Sequence, residues 1–166
     1  MASALDHLKE AFAGESQANR KYLAYAEKAD KEGYPQAARL FRAAAAAETV
    51  HAHNHMKAMK AIGSTPDNLK DAIAGETHEF KSMYPEMVEQ AKQEKHADAL
   101  RSFQYALEVE KVHGRLYQEM ADNLDKAGKE DYAYYVCPVC GHTVAKEAPD
   151  TCPICGTKGS MFKRID

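Results

Sequence analysis

Apolar and small residues recur at intervals of three and four along Leu5, Leu8, Phe12, Ala18, Tyr22, Tyr25 and Ala29, which predicts a first amphipathic helix. Gly33 ends it, and Pro35 suits the first turn of the next. That second helix turns Ala37, Leu40, Phe41, Ala44, Ala47, Met56 and Met59 inward and runs up to Ile62. Gly63-Ser64-Thr65-Pro66 reads as stop, N-cap and first-turn proline. A third helix follows to about Lys95, with a kink or break predicted before Pro85. Ala99, Leu100, Phe103, Leu107, Leu116, Tyr117 and Met120 carry a fourth, to Leu124. Four long helices with short connections predict a mainly α, antiparallel four-helix bundle.

Lys126–Asp131 is polar and helix-ending, and from Tyr132 the composition shifts to Tyr, Val, Cys, Pro and Gly. The predicted domains are therefore 1–130, helical, and 131–166, a small β/loop module. So short a module cannot bury enough surface to fold alone, and a metal has to supply stability. All 4 cysteines lie in it, as Cys137-Pro-Val-Cys140 and Cys152-Pro-Ile-Cys155. Two CxxC pairs so close together point to a tetrahedral metal site, of zinc or of a single iron, rather than to a disulfide framework.

Charge and hydropathy remove other classes. A net charge of −3 offers no field for a phosphate backbone, so no nucleic-acid partner is expected. The small-apolar run Ala43–Ala47 is far too short for a bilayer, so no membrane is expected. The opening MASALDHLKE lacks the basic stub and apolar core of a signal peptide, and the chain reads as cytoplasmic.

The helical part contains an echo. Glu48-x-x-His51 and Glu110-x-x-His113 lie 62 positions apart; Glu15 precedes the first by 33 and Glu76 precedes the second by 34. Helices one and two look like a copy of helices three and four. On each helix these residues, with Glu79 three after Glu76, fall on the predicted inward stripe. Unpaired buried carboxylates would protonate or unfold the chain. Two cations remove that difficulty, and carboxylates with imidazole suit iron or manganese. A Glu from each of two helices plus Glu-x-x-His from each of two others is the donor pattern of di-iron carboxylate bundles.

Ala13-Gly-Glu15-Ser, Glu48-x-x-His51, Gly75-Glu76-Thr-His-Glu79, Met83-Tyr84-Pro85 and Glu110-x-x-His113, followed by CPVCG and CPICG, resemble the rubrerythrin family over essentially the whole chain. The resemblance implies a ferritin-like bundle with a rubredoxin-like module. It implies two non-haem irons held by Glu15, Glu48, His51, Glu76, Glu79, Glu110 and His113, with Glu48 and Glu110 bridging and His51 replacing Glu79 when its iron is reduced. It implies one iron on Cys137, Cys140, Cys152 and Cys155, with zinc able to substitute in recombinant material. Tyr22 and Tyr84 match tyrosines that hydrogen-bond ligand carboxylates. The implied activity is an oxidoreductase of the rubrerythrin peroxidase type. It gives two electrons to hydrogen peroxide and forms water in oxidative-stress defence. Its electrons come from an NAD(P)H-linked reductase or a rubredoxin through the cysteine-bound iron. Two other classes share parts of the pattern, a ferroxidase or iron-storage protein and a non-enzymatic bundle with a zinc ribbon.

A module on a tether of about six residues is not expected to reach the middle of its own bundle, roughly 20 Å from either end. The rubrerythrin resemblance implies a head-to-tail homodimer, with exchanged helices as a variant. His7, His53, His78 and His96 are expected to be solvated, and His55, His142 and the methionines have no assigned role.

Overall fold

The computed structural model describes residues 2–166; Met1, with which the predicted 1–130 domain begins, lies outside them. The chain divides into two compact units, the first ending at Gly63 and the second spanning Ser64–Asp166.

The first unit is a hairpin of α1 (Ala4–Lys31) and α2 (Pro35–Ala58). A capping box starts α1: Ser3 Oγ accepts from the Asp6 N–H at 3.1 Å, and Asp6 Oδ2 accepts from the Ser3 N–H at 2.8 Å. Ala26, Ala29 and Ala38 form a buried seam with Phe41 packed on it. Ala38, Ala45 and Ala52, one every two turns of α2, are all buried, so a face without bulk meets α1 closely. Buried Asn19 donates from Nδ2 to the Ala45 carbonyl at 2.7 Å and to Thr49 Oγ1 at 2.9 Å, tying the two helices together.

The second helix stops earlier than the sequence suggests. It ends at Ala58, and Lys60 takes a left-handed φ of 54° while the Ala61 N–H reaches back to the Met56 carbonyl and the Lys60 N–H to Lys57. The same backbone closure recurs after α1 at Gly33 and after Gln93 at Lys95, where His96 N–H bonds Ala91. Only the closure after α1 carries glycine, so those at Lys60 and Lys95 left no signal in the sequence.

In the second unit α3 (Thr65–His78), capped by Ser64 as expected, passes through a π-helical turn (Glu79–Met83) into α4 (Tyr84–Gln93). The kink or break predicted before Pro85 takes the form of this π turn, and the chain stays helical through it. The Tyr84 N–H bonds the Glu79 carbonyl across the wider turn, and Pro85 sits in the first turn of α4. Against these segments packs α5 (Ala97–Asp122). Gly114 of α5 allows the approach: a Cβ there would stand 3.2 Å from the Phe80 ring and 3.6 Å from Glu76 Cβ.

A single turn, α6 (Leu124–Ala127), leads to an antiparallel sheet of β1 (Tyr134–Val136), β2 (Thr143–Ala145) and β3 (Lys163–Ile165), in the order β2-β1-β3. Tyr135 stands opposite Val144 on one side and Arg164 on the other. Cys137, Cys152 and Phe162 are its buried core. The module rests on α5 of its own chain, through β2 and through Gly141, whose Cβ position is 3.8 Å from Val109. This corrects the expectation from tether length: α6 carries the chain on past the end of α5, and the sheet folds back onto that helix. Among the described residues no helix is long and apolar enough to cross a membrane.

Candidate metal centres

Each unit gathers one set of carboxylate and imidazole donors. On the hairpin, Glu15 from α1 meets Glu48 and His51 from α2: His51 Nδ1 is 2.9 Å from Glu48 Oε2 and 3.9 Å from Glu15 Oε1. In the second unit Glu76 from α3 meets Glu110 and His113 from α5, with His113 Nδ1 2.7 Å from Glu110 Oε2 and 3.9 Å from Glu76 Oε1. In each set the donor atoms lie within 4.8 Å of one another, as the ligands of one cation must. The i, i+3 spacing puts Glu and His on one face of their helix, and the partner helix brings the other carboxylate.

The surroundings differ. The Glu76, Glu110 and His113 side chains are 18%, 16% and 26% exposed, whereas His51 is 54% exposed and does not lie on a buried stripe as predicted. Its hairpin covers it from one side only, through α1. In the second unit burial, and then the Glu110 charge, push the Glu76 carboxyl up to about 7. Burial and Glu110 also raise Glu79, which the π turn carries one helical step beyond Glu76. His113 is raised by its hydrogen bond to Glu110, against burial, with help from the Glu110 and Glu76 charges and the Gly141 carbonyl. Carboxyls driven towards their protonated form by burial among themselves are the situation a cation relieves.

The two tyrosines part company. Tyr84 lies over Phe103, its phenol raised by burial and by the charges of Glu79, Glu110 and Glu76, so it belongs to the surroundings of that carboxylate set. The Tyr22 ring packs with Tyr25 and Phe41, centroids 6.4 and 6.3 Å away.

In the module all four cysteines are free thiols within 4.8 Å of one another, with Cys137–Cys155 and Cys140–Cys152 sulfurs 3.6 Å apart. A tetrahedron with 2.3 Å metal–sulfur bonds has edges of about 3.8 Å, so the cluster fits a single tetrahedral metal without rearrangement. Gly141 and Gly156, at φ +84° and +77°, make the two turns that fold each CxxC around the site. Burial raises the Cys140 thiol, while the His142 backbone N–H donates to it and lowers it. At Cys155 burial also raises the thiol, but bonds from the Thr157 hydroxyl and amide, Cys140 and Cys137 outweigh it and bring it down to about 6.

Sequence reasoning passed over two residues, Thr143 and Thr157, and left His142 without a role. Thr143 Oγ1 lies 2.9 Å from His113 Nε2, and Thr157 Oγ1 lies 3.1 Å from Cys155 Sγ; only their place just after the CxxC pairs hinted at either. His142 is buried edge-on to Phe162. The other histidines stand mostly as expected, except that exposed His96 caps α5 by accepting from the Ala99 N–H at 3.3 Å.

Comparison with known proteins agrees with this architecture. The family described as Rubrerythrin matches residues 6–121, and the one described as Rubrerythrin, rubredoxin-like domain, matches 135–163. Rubrerythrin-2 of Clostridium acetobutylicum is 40% identical, over 98% of this chain and 96% of its own length. Nigerythrin of Nitratidesulfovibrio vulgaris is 34% identical, over 93% and 83%. A solved structure of nigerythrin in its fully reduced, all-ferrous state superposes with a TM-score of 0.60 at 32% identity, covering 99% of this chain and 88% of that one.

Proposed function

The chain belongs to the rubrerythrin family, and from that membership we propose that it reduces hydrogen peroxide to water at its carboxylate–imidazole donors, with electrons entering through the four-cysteine site. The fold class is that of the family, mainly helical and ferritin-like with a small rubredoxin-like sheet, and its donor sets are those of a di-iron centre and a cysteine-bound iron. We divide the chain functionally at residue 130, donors for the iron pair before it and for the single iron after it. The observation that carries the reading is the docking of the cysteine cluster on the helix that bears Glu110 and His113. Iron storage has no use for such an entry point.

Glu15, Glu48, His51, Glu76, Glu79, Glu110 and His113 hold the iron pair in this proposal, and Cys137, Cys140, Cys152 and Cys155 hold the third iron. Bound there, the pair supplies the Lewis acidity and two electrons that cleaving an O–O bond requires. The protein's own groups handle the rest. Each turnover consumes two protons as well as two electrons, releasing two waters. Tyr84 Oη, raised by burial and its carboxylate neighbours, keeps its proton through the neutral range and presents a donor to that side. The spare carboxylate of Glu79 can compensate changes in cationic charge. Reducing equivalents come from an external NAD(P)H-fed reductase or a rubredoxin, in a cytoplasm that keeps the thiols reduced.

The dimer we propose is a head-to-tail homodimer in which α1–α2 exchanges between copies. Leu5, Leu40 and Val50 of the hairpin are 48%, 68% and 57% exposed, and a two-helix hairpin needs a further layer to bury such residues.

The test is an anaerobic titration of reduced, iron-loaded protein with hydrogen peroxide, following the visible colour of the cysteine-bound iron. Rapid recolouring at low peroxide equivalents, much faster than with oxygen, is the expected result. Recolouring only at oxygen-like rates, with iron uptake continuing after the donor sites are filled, would move the assignment to ferroxidase or storage.

A further inference from the structure

The peptide group between Gly141 and His142 stands between the two donor clusters of the second unit. Its carbonyl accepts from Thr143 Oγ1 at 3.0 Å and faces the His113 ring. Its N–H, on His142, donates to the Cys140 sulfur. A threonine hydroxyl has one proton and a carbonyl can only accept, so that proton points at Gly141. Thr143 Oγ1, 2.9 Å from His113 Nε2, therefore accepts from an Nε2–H. The tautomer is fixed, and Nδ1, the nitrogen aimed at Glu110 and Glu76, is the one left for a metal.

Resting on the reading that both clusters bind metal, we propose that Thr143 is a positioning residue that couples them: metal on His113 Nδ1 tightens the chain from Nε2–H through the Thr143 hydroxyl to the Gly141 carbonyl, and thereby strengthens the His142 N–H bond to Cys140. A cation on one ring nitrogen withdraws density and makes the other a stronger donor. Successive bonds in such a chain strengthen one another by about 10–30% each. A peptide unit is conjugated, so pulling on its oxygen polarises its N–H. The coupling runs both ways, and metal in the cysteine site also tightens metal at His113. The other CxxC turn shows the contrast: Thr157 gives its hydroxyl to the thiol of its own loop, 3.1 Å from Cys155 Sγ, and among the described residues bonds no helix ligand.

The experiment uses full-length protein with zinc in the cysteine site and selectively ¹⁵N-labelled histidine, titrated with further zinc while calorimetry counts the ions bound. In wild type and in Thr143→Ser the His142 amide proton should move downfield as the carboxylate–imidazole set fills. In Thr143→Val it should stay in place, with zinc binding to that set about tenfold weaker. Zinc filling the set in wild type with the His142 amide unmoved, or moving equally in Thr143→Val, would overturn the coupling while leaving the metal reading intact. Failure of wild type to take zinc beyond the cysteine site would overturn both.

Discussion

The Glu15–Glu48–His51 and Glu76–Glu110–His113 sets share the Glu-x-x-His spacing and nearly share their geometry, with His Nδ1 3.9 Å from the glutamate of the other helix in each. Their settings do not match. His51 is half exposed on a hairpin, whereas His113 is enclosed by α3, the π turn and the cysteine module, with its second nitrogen occupied by Thr143. A short motif decides which atoms face a metal. Packing at long range decides how they are shielded, and within one chain it leaves His51 54% exposed and His113 26%.

The sharpest way to break the comparison is to disable the two sets separately. Glu48→Ala and Glu110→Ala should each lose carboxylate-site metal and peroxide turnover almost completely. If α1–α2 exchanges between copies, mixing the two variants under conditions that reshuffle dimers restores about a quarter of wild-type sites, because one site of each mixed dimer then has both sets intact. No recovery in steady-state peroxide consumption would show that each site draws both sets from one chain.

Removing the feature that only the second set has is the next test. Glu79→Ala should retain metal in both sets but slow peroxide turnover by about tenfold or more, shifting preference towards oxygen. Stopped-flow comparison of the two oxidants measures it, and unchanged peroxide kinetics would deny Glu79 any part in the chemistry.

The smallest effect is on pH. The folded, metal-free second set holds the Glu76 proton up to about 7, whereas an unfolded chain releases it near 4.5. Protonation thus favours the folded metal-free protein, and that stability is lost as pH rises from about 4.5 through about 7. Metal must displace the same proton, so uptake should weaken severalfold between pH 7.5 and about 6 and release protons as it occurs. Calorimetry in buffers of different ionisation enthalpy reads this directly, and the effect should shrink in Glu76→Gln, leaving the part due to His113 and Glu79.

What the sequence made legible follows from what local spacing can encode. The i, i+3 pairs, the matched offsets and the CxxC turns each fix donors by local geometry, and the structure brings Glu15 to Glu48 and His51, Glu76 to Glu110 and His113, and the four sulfurs together. The end of α2 was misplaced because Lys60, not a glycine, takes the left-handed turn. Pro85 marked an irregularity in the helix but not its kind, because a π turn has no composition of its own. Thr143 and the seating of the module on α5 depend on contacts across thirty residues, and no periodicity records those.

The π turn also accounts for a discrepancy of one. From the start of its helix to its glutamate the chain counts the same number of residues in both copies, Pro35 to Glu48 and Ala97 to Glu110, and the turns 32–34 and 94–96 are equally long. The extra residue that makes one offset 34 where the other is 33 therefore lies within the segment from Glu76 to Gln93, which contains the π turn. A π turn takes up one residue more than an α turn. The extra residue is thus taken up inside a continuous helical segment, and without it the two halves would count alike from the first glutamate to the second.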